Sequence, residues 1–174
     1  MTTAVLSLGS NLGDRHANLR DAVLGLGEAV LVISGVYETP PWGDPDQQDY
    51  LNAAVLVADE IEARAWLTRA QELERAAGRV RDPARRYAPR TLDVDVVAVW
   101  DDAGVPVTSD EPDLVLPHPR AHERAFVLRP WLDIQPYAQL PGHGWVTDLL
   151  RTGPAATDLP GLTPRPDLLL DTPA

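Results

Sequence analysis

Leu92-Asp93-Val94-Asp95-Val96-Val97-Ala98-Val99-Trp100 alternates as an extended strand should, and its two faces differ in chemistry. Successive side chains of a strand point to opposite sides, so Leu92, Val94 and Val96 share one face and Asp93 and Asp95 the other. Val97 and Val99 continue the aspartate side as apolar residues, so that side is not a fully solvated face. The strand predicted over 92–100 ends at the turn Asp101-Asp102-Ala103-Gly104, after which Val105 to Val107 can return as a hairpin arm.

Working back from this strand, residues 79–90 form an arginine-rich loop, and Gly78 closes a helix predicted over 61–77. Ala65, Leu67, Ala70, Leu73 and Ala77 give that helix its apolar face. A strand is predicted over 50–58. Pro40, Pro41 and Pro45 lack amide donors, so 40–49 is a loop, with another strand before it over 31–39. Asp14 caps a helix beginning near Arg15, whose Leu19, Val23, Leu26 and Val30 recur on one face. A short strand over 4–8 opens the chain. The order β-α-β-β-α-β is the ferredoxin-like or split-βαβ pattern: an α+β fold, mainly antiparallel sheet, with helices on both faces.

Beyond the strand, Leu114-Val115-Leu116 is briefly extended, a helix is predicted over 121–132 and a short one over 146–150. From Gly153 onward the chain is rich in proline and shows no periodicity. The expectation is one domain over residues 1–152 and a Pro-rich C-terminal tail over 153–174.

A chain of 174 residues, 44% apolar and 24% charged, can bury a proper core. It has no cysteine, which removes disulfides, thiolate nucleophiles and thiolate-bound metals. All 15 basic residues are arginines, so Schiff-base chemistry and the lysine-ended phosphate loop are absent. The net charge of −11 argues against nucleic acid and anionic membrane as partners. No charged leader precedes a long apolar run, and no run approaches the ~20 residues that cross a bilayer, so a cytoplasmic protein is expected.

Two carboxylates side by side on one strand face repel unless a cation lies between them, and magnesium is commonly held by one or two carboxylates with substrate phosphates. An isolated D-x-D is more often a solvated strand face. Here the loop before it carries five of the fifteen arginines, at 79, 81, 85, 86 and 90, whose planar guanidiniums suit phosphate oxygens. Carboxylates for a metal and arginines for phosphates are complementary halves of a nucleotide site. Thr39-Pro40-Pro41-Trp42-Gly43, Tyr50-Leu51-Asn52 and the single phenylalanine, Phe126, could line a flat slot for a planar heterocycle. His118 and His122 are four apart, but Pro119 interrupts any helix through both; a charged hydrogen-bonding role suits His118 better than a zinc pair. His16 and His143 have no evident partner.

In this combination the chain resembles the 6-hydroxymethyl-7,8-dihydropterin pyrophosphokinase family, the 2-amino-4-hydroxy-6-hydroxymethyldihydropteridine diphosphokinases. The resemblance runs from about Val5 to Pro136. It rests on LSLGSNLGD at 6–14, YETPPWG at 37–43, QDYLNAAV at 48–55, GRVR at 78–81, PRTLDVD at 89–95 and LPHPRAHERAFVLRP at 116–130. It implies transfer of diphosphate from ATP, the co-substrate, to the pterin hydroxymethyl group in folate biosynthesis. By this resemblance Arg79, Arg90, Asp93 and Asp95 are catalytic, and Asp93 and Asp95 hold two magnesium ions. Thr39, Pro40, Trp42, Tyr50, Asn52 and Phe126 bind the pterin. Gln71, Glu74, Arg79, Arg81, Arg90, His118 and Arg124 bind ATP. A monomer is expected. A magnesium-dependent phosphohydrolase, which needs no pterin slot, and a non-catalytic ligand-binding module are the competing readings.

Overall fold

Strand β1 (Thr2–Ser10) lies at the centre of the sheet because its side chains serve both faces: Ala4, Leu6 and Leu8 pack to one side and Val5 to the other. The computed structural model describes residues 1–41, 43, 45–80, 83–85 and 88–171. After β1, the Asp14 carboxylate accepts the Ala17 N–H at 3.0 Å and starts α1 (Arg15–Leu26), which buries Leu19, Ala22, Val23 and Leu26. Gly27, at φ +58°, ends it.

The single strand predicted over 31–39 is two, β2 (Val30–Ile33) and β3 (Tyr37–Thr39). At the break the Ser34 hydroxyl accepts the Ala54 N–H at 2.8 Å, and Gly35 N–H donates to Asp133 at 3.3 Å, so side chains replace backbone partners. β4 (Tyr50–Asp59) and α2 (Ala63–Ala76) follow, then β5 (Asp93–Asp101). β4 pairs with β1 on one edge and with β2 and β3 in turn along the other, and β5 pairs with β1, all antiparallel. This is the sheet of a ferredoxin-like α+β fold.

β5 carries a bulge. Val5 pairs with Ala98 and Leu6 with Val96, which leaves Val97 as the extra residue. Val97 and Ala98 therefore both face the side opposite α1, while Val99 crosses to the α1 side and does not continue the aspartate face.

A hairpin of β6 (Ser109–Glu111) and β7 (Leu114–Leu116) leads to a 3-10 turn, Ala121–Glu123, and then to α3 (Ala125–Ile134). The helix predicted from 121 starts later because Arg124 is extended, φ −112° and ψ 100°, after the tight turn. β8 (Gln139–Leu140) and β9 (Gly144–Trp145) form a small hairpin before α4 (Val146–Thr152) and α5 (Ala155–Asp158). β10 (Thr163–Pro164) then pairs antiparallel with β3. Helices α1 and α2 cover one face of the sheet around Leu19 and Trp66; α3 and α4 cover the other around Trp131. Of the Pro-rich segment, Ala155 lies in the second core and Leu170 in the first. Among the described residues no helix is long and apolar enough to cross a membrane.

Candidate active site

On the α3 face of the sheet a cleft opens to solvent. Its floor is three neighbouring rungs of the sheet on one face: Thr39 opposite Tyr50, Asn52 opposite Gly9 opposite Asp93, and Ser7 opposite Asp95. Pro40, Arg90, Arg124 and Phe126 form its walls. Gly9 stands at the middle rung for a steric reason. A Cβ there would lie 3.1 Å from Asn52 Oδ1 and 3.4 Å from a Tyr50 ring carbon.

At the β5 end the charges are closely matched. The Asp93 carboxylate accepts from Arg79 at 2.9 Å and pairs with Arg90 at 3.1 Å; Asp95 pairs with Arg124 at 3.4 Å. Arg79 also pairs with Glu74, a buried carboxylate of α2 that accepts the Val94 N–H at 3.1 Å. Gly78, at φ +74°, ends α2 so that Arg79 turns back toward β5. Asp95 keeps 26% of its side chain exposed at the cleft floor but is otherwise enclosed. Burial, and then the charge of Asp93, push its carboxyl from an ordinary 3.8 up to about 7. Removing two like charges from water raises the pKa of at least one of them, and a bound cation would reverse that.

His118 lies 4.0 Å from Asp95. Its expected charge is not borne out. Burial, then the Arg124 guanidinium, lower its pKa to about 4, so the ring is neutral at pH 7. Nδ1 accepts the Arg120 N–H at 3.2 Å, which leaves the proton on Nε2, facing Asp95.

At the β3 end the cleft is flat and mostly uncharged. Tyr50 and Phe126 contribute rings and Asn52 an amide whose Nδ2 donates to Thr39 Oγ1 at 2.8 Å. That bond leaves the Asn52 carbonyl facing the space beside Gly9. Burial raises the Tyr50 pKa, so the phenol stays neutral. The Arg124 guanidinium sits 5.6 Å from the Phe126 ring centroid, at the join between the two ends.

The structure thus brings Thr39, Pro40, Tyr50, Asn52, Arg90, Asp93, Asp95, Arg124 and Phe126 to one cleft, with Arg79 and His118 against its carboxylates. Glu74 is turned inward to Arg79 and β5, and Gln71 is exposed on α2 away from the cleft lining. Trp42, Arg81, Arg86 and Tyr87 lie outside the described residues. Sequence reasoning missed Ser7 and Gly9, for which a glycine inside a strand was the available signal. It also missed Asn11, whose buried amide accepts the Arg90 N–H at 2.7 Å and donates to Gln47 Oε1 at 2.7 Å. His122 and His143, far apart in sequence, stack with ring centroids 4.3 Å apart, and His16 Nε2 lies 2.7 Å from the Leu169 carbonyl.

Paired carboxylates with guanidiniums at one end and an aromatic and amide slot at the other are the equipment of an enzyme that handles a phosphorylated and a planar substrate together. The model of one family, 7,8-dihydro-6-hydroxymethylpterin-pyrophosphokinase (HPPK), matches residues 5–136, and the chain belongs to that family. It is 55% identical over 146 residues to the 2-amino-4-hydroxy-6-hydroxymethyldihydropteridine pyrophosphokinase of Mycobacterium tuberculosis (strain ATCC 25618 / H37Rv), covering 80% of this chain and 76% of that one. The Bacillus subtilis (strain 168) enzyme of the same name is 37% identical over 135 residues, 75% of this chain and 77% of the other. Among solved structures, Plasmodium falciparum HPPK-DHPS wild type aligns with a TM-score of 0.61 at 14% identity, over 94% of this chain and 47% of that one. The chain spans less than half of such HPPK-DHPS chains, and at this identity the likeness speaks for the fold.

Proposed function

We propose that this protein transfers diphosphate from ATP to the hydroxymethyl oxygen of 6-hydroxymethyl-7,8-dihydropterin, giving AMP and the pterin diphosphate in folate biosynthesis. The observation that carries the reading is the shared sheet face, from Thr39 and Tyr50 through Asn52 and Gly9 to Asp93 and Asp95, that joins an aromatic and amide slot to a carboxylate and arginine cluster in one cleft. A slot for the acceptor beside a site for the donor's phosphates is what a direct transfer needs, and a hydrolase would not need it.

The pterin ring stacks on Tyr50 and Phe126, with the Asn52 carbonyl accepting from ring donors and Thr39, Pro40 and Trp42 at the edge. Its hydroxymethyl group then points along the floor past Gly9 toward Asp93. The hydroxyl oxygen attacks the β-phosphorus of ATP, forming a new O–P bond as the bridging oxygen departs with AMP; the hydroxyl proton is lost to solvent. Arg79, Arg90, Arg124 and Arg81 hold phosphate oxygens, and neutral His118 offers its Nε2–H. Gln71 is exposed one helical turn from Glu74, available to the nucleotide. Glu74 acts through Arg79, which it orients.

Asp93 and Asp95 suit two magnesium ions. Their carboxylates lie side by side, and the raised Asp95 pKa, set first by burial and then by Asp93, means that a cation at this point would be stabilised by an ionised Asp95. A hard cation held by one or two carboxylates completes its shell with phosphate oxygens and water. When bound, magnesium supplies charge neutralisation across the ATP phosphates. A monomer is the working unit of this reading.

The test is AMP release from ATP by the purified protein with magnesium, with and without the pterin. AMP that appears only with pterin is the expected result; ADP formed without it would overturn the reading in favour of hydrolysis.

A further inference from the structure

The segment beyond the family match contributes a strand, β10, to the edge of the sheet, and it does so beside the residues that wall the heterocycle end of the cleft. β3 is three residues long and leads straight into the 40–49 loop. Without β10 it would be a bare edge, the least constrained strand of the sheet. β10 pairs Thr163 with Glu38 and Pro164 with Tyr37, and the Arg165 N–H adds a bond to the Val36 carbonyl at 2.8 Å.

Side chains extend the backbone pairing. Tyr37 and Thr39 face the cleft side of the sheet, so Glu38 faces the other, where its carboxylate is held from two directions. Arg165 lies 3.3 Å from Oε1 and Arg15 2.7 Å from Oε2. Arg15 uses the same Nη1 to donate to the Asp49 carbonyl at 2.8 Å. The run Arg165–Glu38–Arg15–Asp49 therefore joins the middle of β3, the residue that ends the loop and the residue that follows β10. Gly161, just ahead of β10, sits against Pro40, where a Cβ would be 3.7 Å from the Pro40 ring. Farther on, Leu170 is 2% exposed in the α1 and α2 core, which fixes β10 from its other side.

We infer that the C-terminal strand is a clamp on the pterin-side wall, with Arg165 and Glu38 as positioning residues that act through Thr39 and Pro40 and touch no reacting atom. The inference deepens the proposed function and rests on it for the identity of the ligand. It gives residues outside the family match a share in acceptor binding, not in nucleotide binding or chemistry.

The test compares full-length Arg165→Glu, Arg165→Lys and Glu38→Gln with the natural protein. Arg165→Glu removes the ion pairs of Arg165 with Glu38 and, at 2.9 Å, with Asp167, sets three carboxylates together, and raises the KM for the pterin roughly three- to tenfold, the loss expected from about two part-exposed ion pairs. The KM for ATP and kcat stay within about twofold. Arg165→Lys recovers most of the pterin KM, and Glu38→Gln falls between. Equal effects on both substrates, or none, overturn the inference. Hydrogen exchange reads the clamp without any substrate: Arg165→Glu speeds exchange of the amides at 36–39 and at 49–50, and unchanged rates there overturn the clamp outright. A natural protein that neither binds nor turns over the pterin refutes the functional reading instead, and the exchange rates still decide whether β10 holds the loop.

Discussion

Replacing Asp95 by asparagine should stabilise the protein while abolishing its turnover. At about 1.4 kcal/mol per pKa unit, the rise of the Asp95 carboxyl from 3.8 to about 7 corresponds to roughly 4 kcal/mol of unfavourable ionisation in the folded state. With 26% of the side chain meeting solvent, screening reduces that to about 2 kcal/mol. The sign follows from linkage. A carboxyl whose folded pKa is raised binds more protons folded than unfolded, so its ionisation costs stability progressively between about pH 4 and pH 7. Asparagine escapes that cost. Without magnesium, thermal unfolding by calorimetry should show a small advantage for Asp95→Asn near pH 4.5 and one of about 4–8 °C at pH 8. Magnesium should raise the melting temperature of the natural protein and narrow the gap, and AMP formation by the variant should fall by orders of magnitude. An asparagine variant less stable than the natural protein at pH 8 without metal would refute the claim that burial, and then the charge of Asp93, make ionised Asp95 costly to the fold.

Two further substitutions separate the ends of the cleft. Phe126→Ala removes a stacking surface and should weaken pterin binding about tenfold with ATP binding nearly unchanged, measured by titration calorimetry; equal loss for both ligands would make Phe126 a packing residue. Gly9→Ala places a methyl 3.1 Å from the Asn52 carbonyl oxygen and should raise the pterin dissociation constant about tenfold, while circular dichroism and the melting temperature change little. Undiminished pterin affinity in that variant would show that Asn52 does not need its present position.

What could be read in the residues was what depends on near neighbours. The Asp14 cap, the buried stripe of α1, the end of α2 at Gly78 and the opposed faces of Val94 and Asp95 are all set within a few residues. So was most of the cleft, because the alternation of β4 and β5 puts Tyr50, Asn52, Asp93 and Asp95 on faces that the ferredoxin-like order brings together. Features set by distant partners were not legible. The split of β2 from β3 depends on Asp133, nearly a hundred residues on; the bulge at Val97 depends on its pairing with β1. β10 is two residues long and includes a proline, a sequence that reads as a break, yet an edge position tolerates a missing N–H. Glu74 illustrates the same limit at the site: its helical position suggests contact with the cleft, and only the fold shows it spent on Arg79 and the Val94 amide.

The guanidiniums packed onto Asp93 and Asp95 have a consequence for how the cleft fills. They are stand-in counter-ions, doing for the carboxylates what a metal would do. A nucleotide arriving with magnesium carries both a cation for the aspartates and an anion for the arginines, so binding is a double exchange of partners. Few bare charges have to be stripped of water, and few counter-ions leave the protein. The affinity for the metal–nucleotide complex should therefore fall with added salt much less steeply than these three arginines meeting a polyphosphate would suggest, whereas the metal-free nucleotide, which brings no partner for the aspartates, gains no such exchange.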